Sequence, residues 1–278
     1  MTDSSFRVGF ARAAGYAALL IAALQALGPI LWIVVGSFKS KADFLVNPWR
    51  LPQSWLFHNY VDAFVVARVG DYVWNSLTVV TLGLCILLVA AATTAYALAR
   101  FRFPGRGVVT IIILVTMMVP SDVLTVPLFV VLRSLGMLGT FLGVACLYAA
   151  SGFGISVFLL RGYFMSVPRE VEEAARLDGA STLSTLWYIV LPMTLPGFAS
   201  VAVIQAMAMW NDLYLSFVFL RDPASATVPV GLLNFFQRDS VDWPRLLAAL
   251  TALTVPVLIV YALLQRRFVE GLTAGAAK

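Results

Sequence analysis

Long apolar runs alternate with short polar stretches along this chain. A membrane-spanning helix needs about 20 consecutive, mostly apolar residues. On that criterion the pattern predicts about six spans, at roughly 14–36, 74–98, 107–132, 138–160, 190–220 and 246–265. The runs do not alternate residue by residue, so a transmembrane barrel is not predicted. Helices pair every backbone N–H and C=O within their own segment, which is what a hydrocarbon solvent demands. The third span contains Pro120 and Pro127, which predicts a break or kink in its outer part. The fifth exceeds the crossing length, which predicts tilt or a non-spanning turn at its end. Gly139 and Gly143 form a G-x-x-x-G that would let two helices pack closely. The fold class read from the pattern is an all-α membrane protein.

Composition points the same way. Hydrophobic residues make up 61% of the chain and charged residues 12%, with a mean hydropathy of +0.91. A soluble exterior could not be coated with so few charges. The net charge of +5 would suggest nucleic acid in a soluble protein. In a membrane protein it is the expected excess of topology-setting basic residues, and no nucleic-acid partner is expected. Cys85 and Cys146 lie inside apolar runs and are expected as free buried thiols. The single histidine, His58, cannot build a histidine cluster.

Arg7 and Arg12 precede the first apolar run, as in a signal peptide. The run continues to about Gly36 without a small-residue cleavage site, so a retained first helix is expected. Eleven Lys and Arg fall in one set of loops and tails and eight in the other. The richer set includes the compact Arg100–Arg106 loop and both short tails, so both termini are expected in the cytoplasm. Residues 37–73 and about 221–245 would then face outward. The chain is expected to be a single transmembrane domain over 1–278. It contains no G-x-x-x-x-G-K-[ST] phosphate loop, so any ATP would be hydrolysed by another chain.

The most informative stretch is the cytoplasmic loop 163–190. Pro168 suits a first helical turn, and Glu170, Glu172 and Glu173 follow at the positive end of the helix dipole. Glu172 stands four residues before Arg176, the favourable order for a surface pair. Ala174 and Ala175 favour helix and add little bulk. Gly179 stops the helix by taking a left-handed conformation, and Ser181 can cap a second short helix. Two short helices meeting at a glycine could be a solvated linker or a surface built for close contact.

Glu173-Ala174-Ala175, Asp178-Gly179-Ala180, Ile189, Leu191-Pro192 and Pro196 together resemble the EAA loop of binding-protein-dependent ABC importer permeases. Met193 departs from the commoner leucine. Asn59-Tyr60, Asn75-Ser76, Ala95-Tyr96-Ala97, Phe103-Pro104-Gly105, Trp210-Asn211-Asp212 and Gly271–Gly275 are similar to the carbohydrate-class permeases related to maltose transport. Length and span number suit the smaller, MalG-like permease. The resemblance implies the type I importer fold, with the 166–192 loop as coupling helices. Glu173, Ala174, Ala175, Asp178 and Gly179 would form the surface that docks on an ATP-binding subunit. It also implies a homologous second permease, two ATPase copies holding ATP and Mg, and an extracytoplasmic solute-binding protein. This chain would carry no cofactor and sit in the inner membrane of a prokaryote.

Polar residues inside spans are costly and often mark a pathway. Gln205, Trp210, Asn211 and Asp212 are the candidates, pairing an aromatic face with amide and carboxylate groups as sugar sites do. Each also has a bland reading, as a belt tryptophan, an inter-helix pair or a cap. Asp122 is expected to order a loop. Arg266 and Arg267 would anchor the last helix, and the tail after Glu270 would reach toward the ATPase. No catalytic or metal-binding arrangement is visible. The expected function is sugar import by alternating access. The alternatives are an ion-driven secondary transporter and a permease for another solute, such as a glycerol phosphodiester. A secondary transporter would need mid-membrane ionisable groups or an inverted repeat, and an integral membrane enzyme would need clustered His, Asp or Glu.

Overall fold

The computed structural model describes residues 2–236 and 241–254, and side chains from Gly15 on apart from Ser121 and Asp122. Arg266, Arg267, the tail after Glu270 and most of the sixth predicted span therefore lie outside the described residues, as do the side chains of Arg7, Arg12 and Asp122. The described residues form only helices and turns, plus an isolated bridge between Phe236 and Val241. They divide into two compact units. One takes the described residues of Met1–Val69 and Leu232–Leu258, the other those of Gly70–Gly231.

The first unit begins with α1 (Thr2–Ser37). Apart from Gln25 and the terminal Ser37, its residues from Gly15 are apolar on every side, and Leu19, Leu24 and Leu31 are 67%, 63% and 59% exposed. A helix apolar all round and uncovered by protein is solvated by lipid. Its end is tied down by polar groups from α3 (His58–Val65). The Asn59 amide donates to the carbonyls of Ser37 and Lys39 at 2.7 and 2.8 Å, and the Tyr60 hydroxyl meets that of Ser37 at 2.7 Å. Those carbonyls are the unpaired groups of a helix end. Between them lies α2 (Lys41–Val46), capped by the Ser40 hydroxyl on the Asp43 N–H. Lys39 is fully buried, and its ammonium donates to the carbonyls of Asn47 and Pro48 at 2.9 and 3.0 Å. A charge buried this deeply needs such partners. His58 is paired, with Nε2 2.9 Å from Asp62, whose other oxygen meets Arg245 at 2.6 Å.

The second unit is built on α4 (Val69–Arg100) and α7 (Phe141–Met165), with α5 (Arg106–Thr116) and α6 (Thr125–Ser134) between them. After α7 come α8 (Arg169–Leu177), α9 (Thr182–Thr185), a π turn over Leu186–Val190, α10 (Leu191–Met193) and α11 (Leu195–Trp210). Short α12 (Tyr214–Phe219) and α13 (Val228–Leu232) complete it. Leu87, Ala91, Ala95, Val157, Leu160, Phe164 and Val201 form the centre of its core. Gly152 brings α7 against α11: a Cβ there would lie 2.4 Å from the Gln205 Oε1.

Among the described residues three helices are long and apolar enough to cross a bilayer: Gly15–Ser37, Val69–Arg100 and Phe141–Met165. Thr182–Met193 and Leu195–Trp210 meet at 87° and make a fourth if taken as one broken span. The predicted third span is two helices of 11 and 10 residues. At 1.5 Å per residue the longer reaches only about 16 Å, half the hydrocarbon thickness. The break contains Pro120, as the sequence predicts, and Pro127 falls in the first turn of α6. The long fifth run also breaks, at 211–213.

Two expectations change. Gly139 has φ +78° and lies in the turn before α7, so Gly139 and Gly143 are not on one helix face. Gly143 instead fits against the Met137 carbonyl, which a Cβ would approach within 2.3 Å. The cysteines are free, but Cys85 is exposed and Cys146 half-buried. In lipid an apolar thiol has no need of protein cover.

Asn75 and Ser76 hold the 224–228 loop. The Asn75 amide donates to the carbonyls of Ala224 and Ala226, and the Ser76 hydroxyl accepts from the Val228 N–H. Asn75→Ala strands two carbonyls, at about 1–3 kcal/mol for a buried group. We expect faster proteolytic cleavage near residue 225 with unchanged membrane insertion; an unaltered cleavage rate would contradict this.

Candidate coupling and pathway sites

The loop after α7 turns at Ser166–Pro168. Pro168 has extended backbone, φ −60° and ψ 138°, and occupies the N-cap of α8. That is one residue earlier than the first-turn position expected, since the fixed φ of proline is compatible with both the N-cap and the first turn. Glu170 and Glu172 occupy the first turn and Arg176 the last, in line with the helix dipole.

The helix divides its residues by face. Glu172 and Ala175 are buried, while Glu173, Ala174, Asp178 and Gly179 are exposed. Leu177 is 89% exposed, an uncovered leucine on a charged helix. The Gly179 N–H donates to the Arg176 carbonyl at 3.0 Å and the Ala180 N–H to the Ala175 carbonyl at 2.9 Å. With φ +86° at Gly179, this is the Schellman closure. Ser181 then caps α9, accepting from the Ser184 N–H at 3.2 Å. The sequence-derived helix–glycine–helix element is present with both its stop and its restart.

Glu172 departs from expectation. Instead of pairing along the helix surface it turns inward, meeting Arg100 Nη2 at 2.5 Å and accepting from the Tyr96 hydroxyl at 2.8 Å. Tertiary partners at low exposure outweigh a solvated i,i+4 pair, which is worth only about 0.2–0.5 kcal/mol.

The pathway candidates separate as well. Gln205 is 5% exposed and its amide points to the Gly152 carbonyl at 3.4 Å. It serves the α7–α11 contact and presents no exposed face. Asp212 is half-buried and caps α12, accepting from the N–H groups of Leu215 and Ser216 at 3.0 and 3.3 Å and from the Tyr148 hydroxyl at 3.1 Å. The bland reading of Asp212 as a cap on a break is the one the geometry carries. Asn211 is exposed and its amide donates to the Met207 carbonyl at 2.8 Å. Trp210 is half-buried beside it. Asp212→Ala removes the cap and the tyrosine contact, and we expect the unfolding midpoint to fall by a few degrees, from a loss of about 1 kcal/mol for the cap alone. An unchanged midpoint would contradict the capping role.

Comparison with known proteins bears on the same elements. Residues 86–273 match the family described as binding-protein-dependent transport system inner membrane component. The diacetylchitobiose uptake system permease protein NgcG of Streptomyces coelicolor is 34% identical over 95% of this chain and 88% of its own. The inner membrane ABC transporter permease protein YcjP of Escherichia coli is 34% identical over 98% of this chain and 96% of its own. The chain belongs to this family of transport-system inner membrane components. It is a transport subunit and not an enzyme. Among solved structures, a bacterial ABC transporter involved in import of the acidic polysaccharide alginate superposes with a TM-score of 0.81. It is 28% identical, over 96% of this chain and 99% of the other. The ABC importer permease fold inferred from the EAA-like loop is therefore correct.

The family match begins within α4 and continues past α13, and so includes every candidate coupling and pathway residue. Sequence reading missed Arg100 and Tyr96 as partners of Glu172, and Lys39 as a buried cation. Tyr96 and Arg100 stand four residues apart at the end of a span, one above the other on a helix face. A polar pair so placed, facing an acidic loop, was the available signal. Lys39 had none, since its partners are backbone carbonyls.

Proposed function

We propose that this chain is one of two permease subunits of an ATP-driven importer that carries a sugar or sugar-like solute across the cytoplasmic membrane. It crosses six times with both termini in the cytoplasm. A binding protein delivers solute to the outer loops, and two ATPase subunits, holding ATP and Mg, act on the inner loop. This chain binds no cofactor. ATP-driven closure of the ATPases moves the helix–glycine–helix element and switches the spans between inward- and outward-facing states.

The observation that carries this reading is the exposed outer face of α8. Glu173, Ala174, Leu177 and Asp178 present a charge, a close-approach surface and an uncovered leucine together, and Gly179 sets the angle to α9. Ala175 packs α8 onto its own chain. A solvated linker has no use for an exposed leucine between Arg176 and Asp178. The saccharide names of relatives support a sugar as solute, and Trp210 with Asn211 offers an aromatic face beside an amide. Asp212, the next residue, caps α12 just beyond them.

Reconstitution tests the reading. Liposomes holding this chain, its partner permease and the ATPase should accumulate a labelled oligosaccharide only with ATP on the ATPase side and binding protein on the other. Accumulation driven by an ion gradient without ATP would establish the secondary transporter instead. Accumulation of a glycerol phosphodiester but no saccharide would keep the mechanism and change the solute.

A further inference from the structure

Three elements meet at the side chain of Arg100, the last residue of α4. Its Nη2 lies 2.5 Å from Glu172 Oε1 on α8 and donates to the carbonyls of Phe164 and Val167 at 2.8 Å each. Phe164 belongs to the last turn of α7, and Val167 to the bend that leads into α8. Four residues earlier on α4, Tyr96 donates its hydroxyl to the other oxygen of Glu172. The Arg100 and Glu172 side chains are only 7% and 5% exposed. Arg176 also approaches the Tyr96 hydroxyl.

Stability alone does not explain this arrangement. A buried ion pair recovers its desolvation cost only with good geometry, and apolar residues of similar volume often serve as well. Arg100 Nε and Glu172 Oε1 are both buried without a hydrogen-bond partner, so the contact between the two side chains is an ion pair and neither group is fully satisfied. What the pair adds is direction. The two hydrogens of Arg100 Nη2 go to the carbonyls of Phe164 and Val167, and the same charge holds Glu172 as an ion pair, so one group ties the end of α7, the bend after it and α8. Glu172 and Glu173 are adjacent, about 100° apart around α8. One faces the chain's own spans and the other faces out.

We propose that Arg100, Glu172 and Tyr96 form a latch that makes α8 move as one body with the cytoplasmic ends of α4 and α7. They are positioning residues for coupling. The inference rests on the reading of α8 as the ATPase-docking helix and adds the inner half of the linkage. Without the latch, α8 follows the ATPase while the spans stay behind, so ATP is consumed with little transport.

The test is the double substitution Arg100→Met with Glu172→Met, which removes both charges and keeps bulk. Its readout is solute moved per ATP hydrolysed in the reconstituted complex, together with recovery of the ATPase subunit and the unfolding midpoint. We expect the complex to assemble with a nearly unchanged midpoint and the transport ratio to fall about tenfold, the scale on which single sites tune coupling. Arg100→Lys keeps the charge but places it one bond short of the Nη2 position, so it should lower the ratio by a smaller factor with assembly intact; it decides the matter if the double variant does not assemble. A wild-type ratio in whichever variant assembles overturns the latch. Failure of the unsubstituted chain to recover any ATPase overturns the docking reading instead, so the two failures are distinct.

Discussion

Gly179→Pro is expected to reach the membrane in normal amount and to lose ATP-driven uptake. The native φ of +86° lies far from the roughly −65° to which a proline ring is locked. Proline also removes the N–H that donates to the Arg176 carbonyl. The Schellman closure cannot form, and the angle between α8 and α9 is lost. Neither α4 nor α7 is touched, and the residue is exposed, so insertion should be unaffected. Uptake should fall by about tenfold or more, since a misaimed lever costs at least the coupling carried by single sites. Gly179→Ala should be milder, because alanine tolerates the left-handed region at a cost of about 1–2 kcal/mol. Uptake normalised to membrane abundance checks both. Normal uptake by the proline variant would remove Gly179 from the coupling assignment.

Glu173→Arg should separate the chain from its ATPase. The side chain is exposed, and surface substitutions of this kind change stability by no more than about 0.5 kcal/mol. At a docked interface the same change replaces an attraction with a repulsion. Disrupting a desolvated charge pair costs about 2–5 kcal/mol, a weakening of roughly 30-fold or more. Leu177→Ala should weaken docking through lost apolar burial without reversing the field. The pair of variants tells charge from packing, with ATPase recovery as the readout and chain abundance as the control.

How much of this was legible in the sequence differs from element to element. The helix–glycine–helix loop was legible because its signals are local. Ser181 caps within four residues, and Gly179 stops a helix through its own backbone. The break near Pro120 was legible for the same reason. Pro168 was misplaced by one residue, since a proline is compatible with both the N-cap and the first turn. The partner of Glu172 was not legible. The surface pair with Arg176 satisfies every local rule, and only the folded chain brings Arg100 to within reach. Gln205 and Asp212 looked like pathway groups because both are polar in an apolar run. A buried amide at a helix crossing and a carboxylate capping a break have the same sequence signature. The short matches at Asn59-Tyr60 and Asn75-Ser76 acquire a physical meaning here, as side chains that tie helix ends and loops by their carbonyls and N–H groups.

The most direct measurement is purification of the tagged chain in gentle detergent from its native membrane, with mass spectrometry of whatever accompanies it. An ATPase subunit and a second permease should be recovered with the native chain, and the ATPase should be missing from the Glu173→Arg preparation. A chain that purifies alone, and that transports solute in liposomes without ATP, would contradict the account.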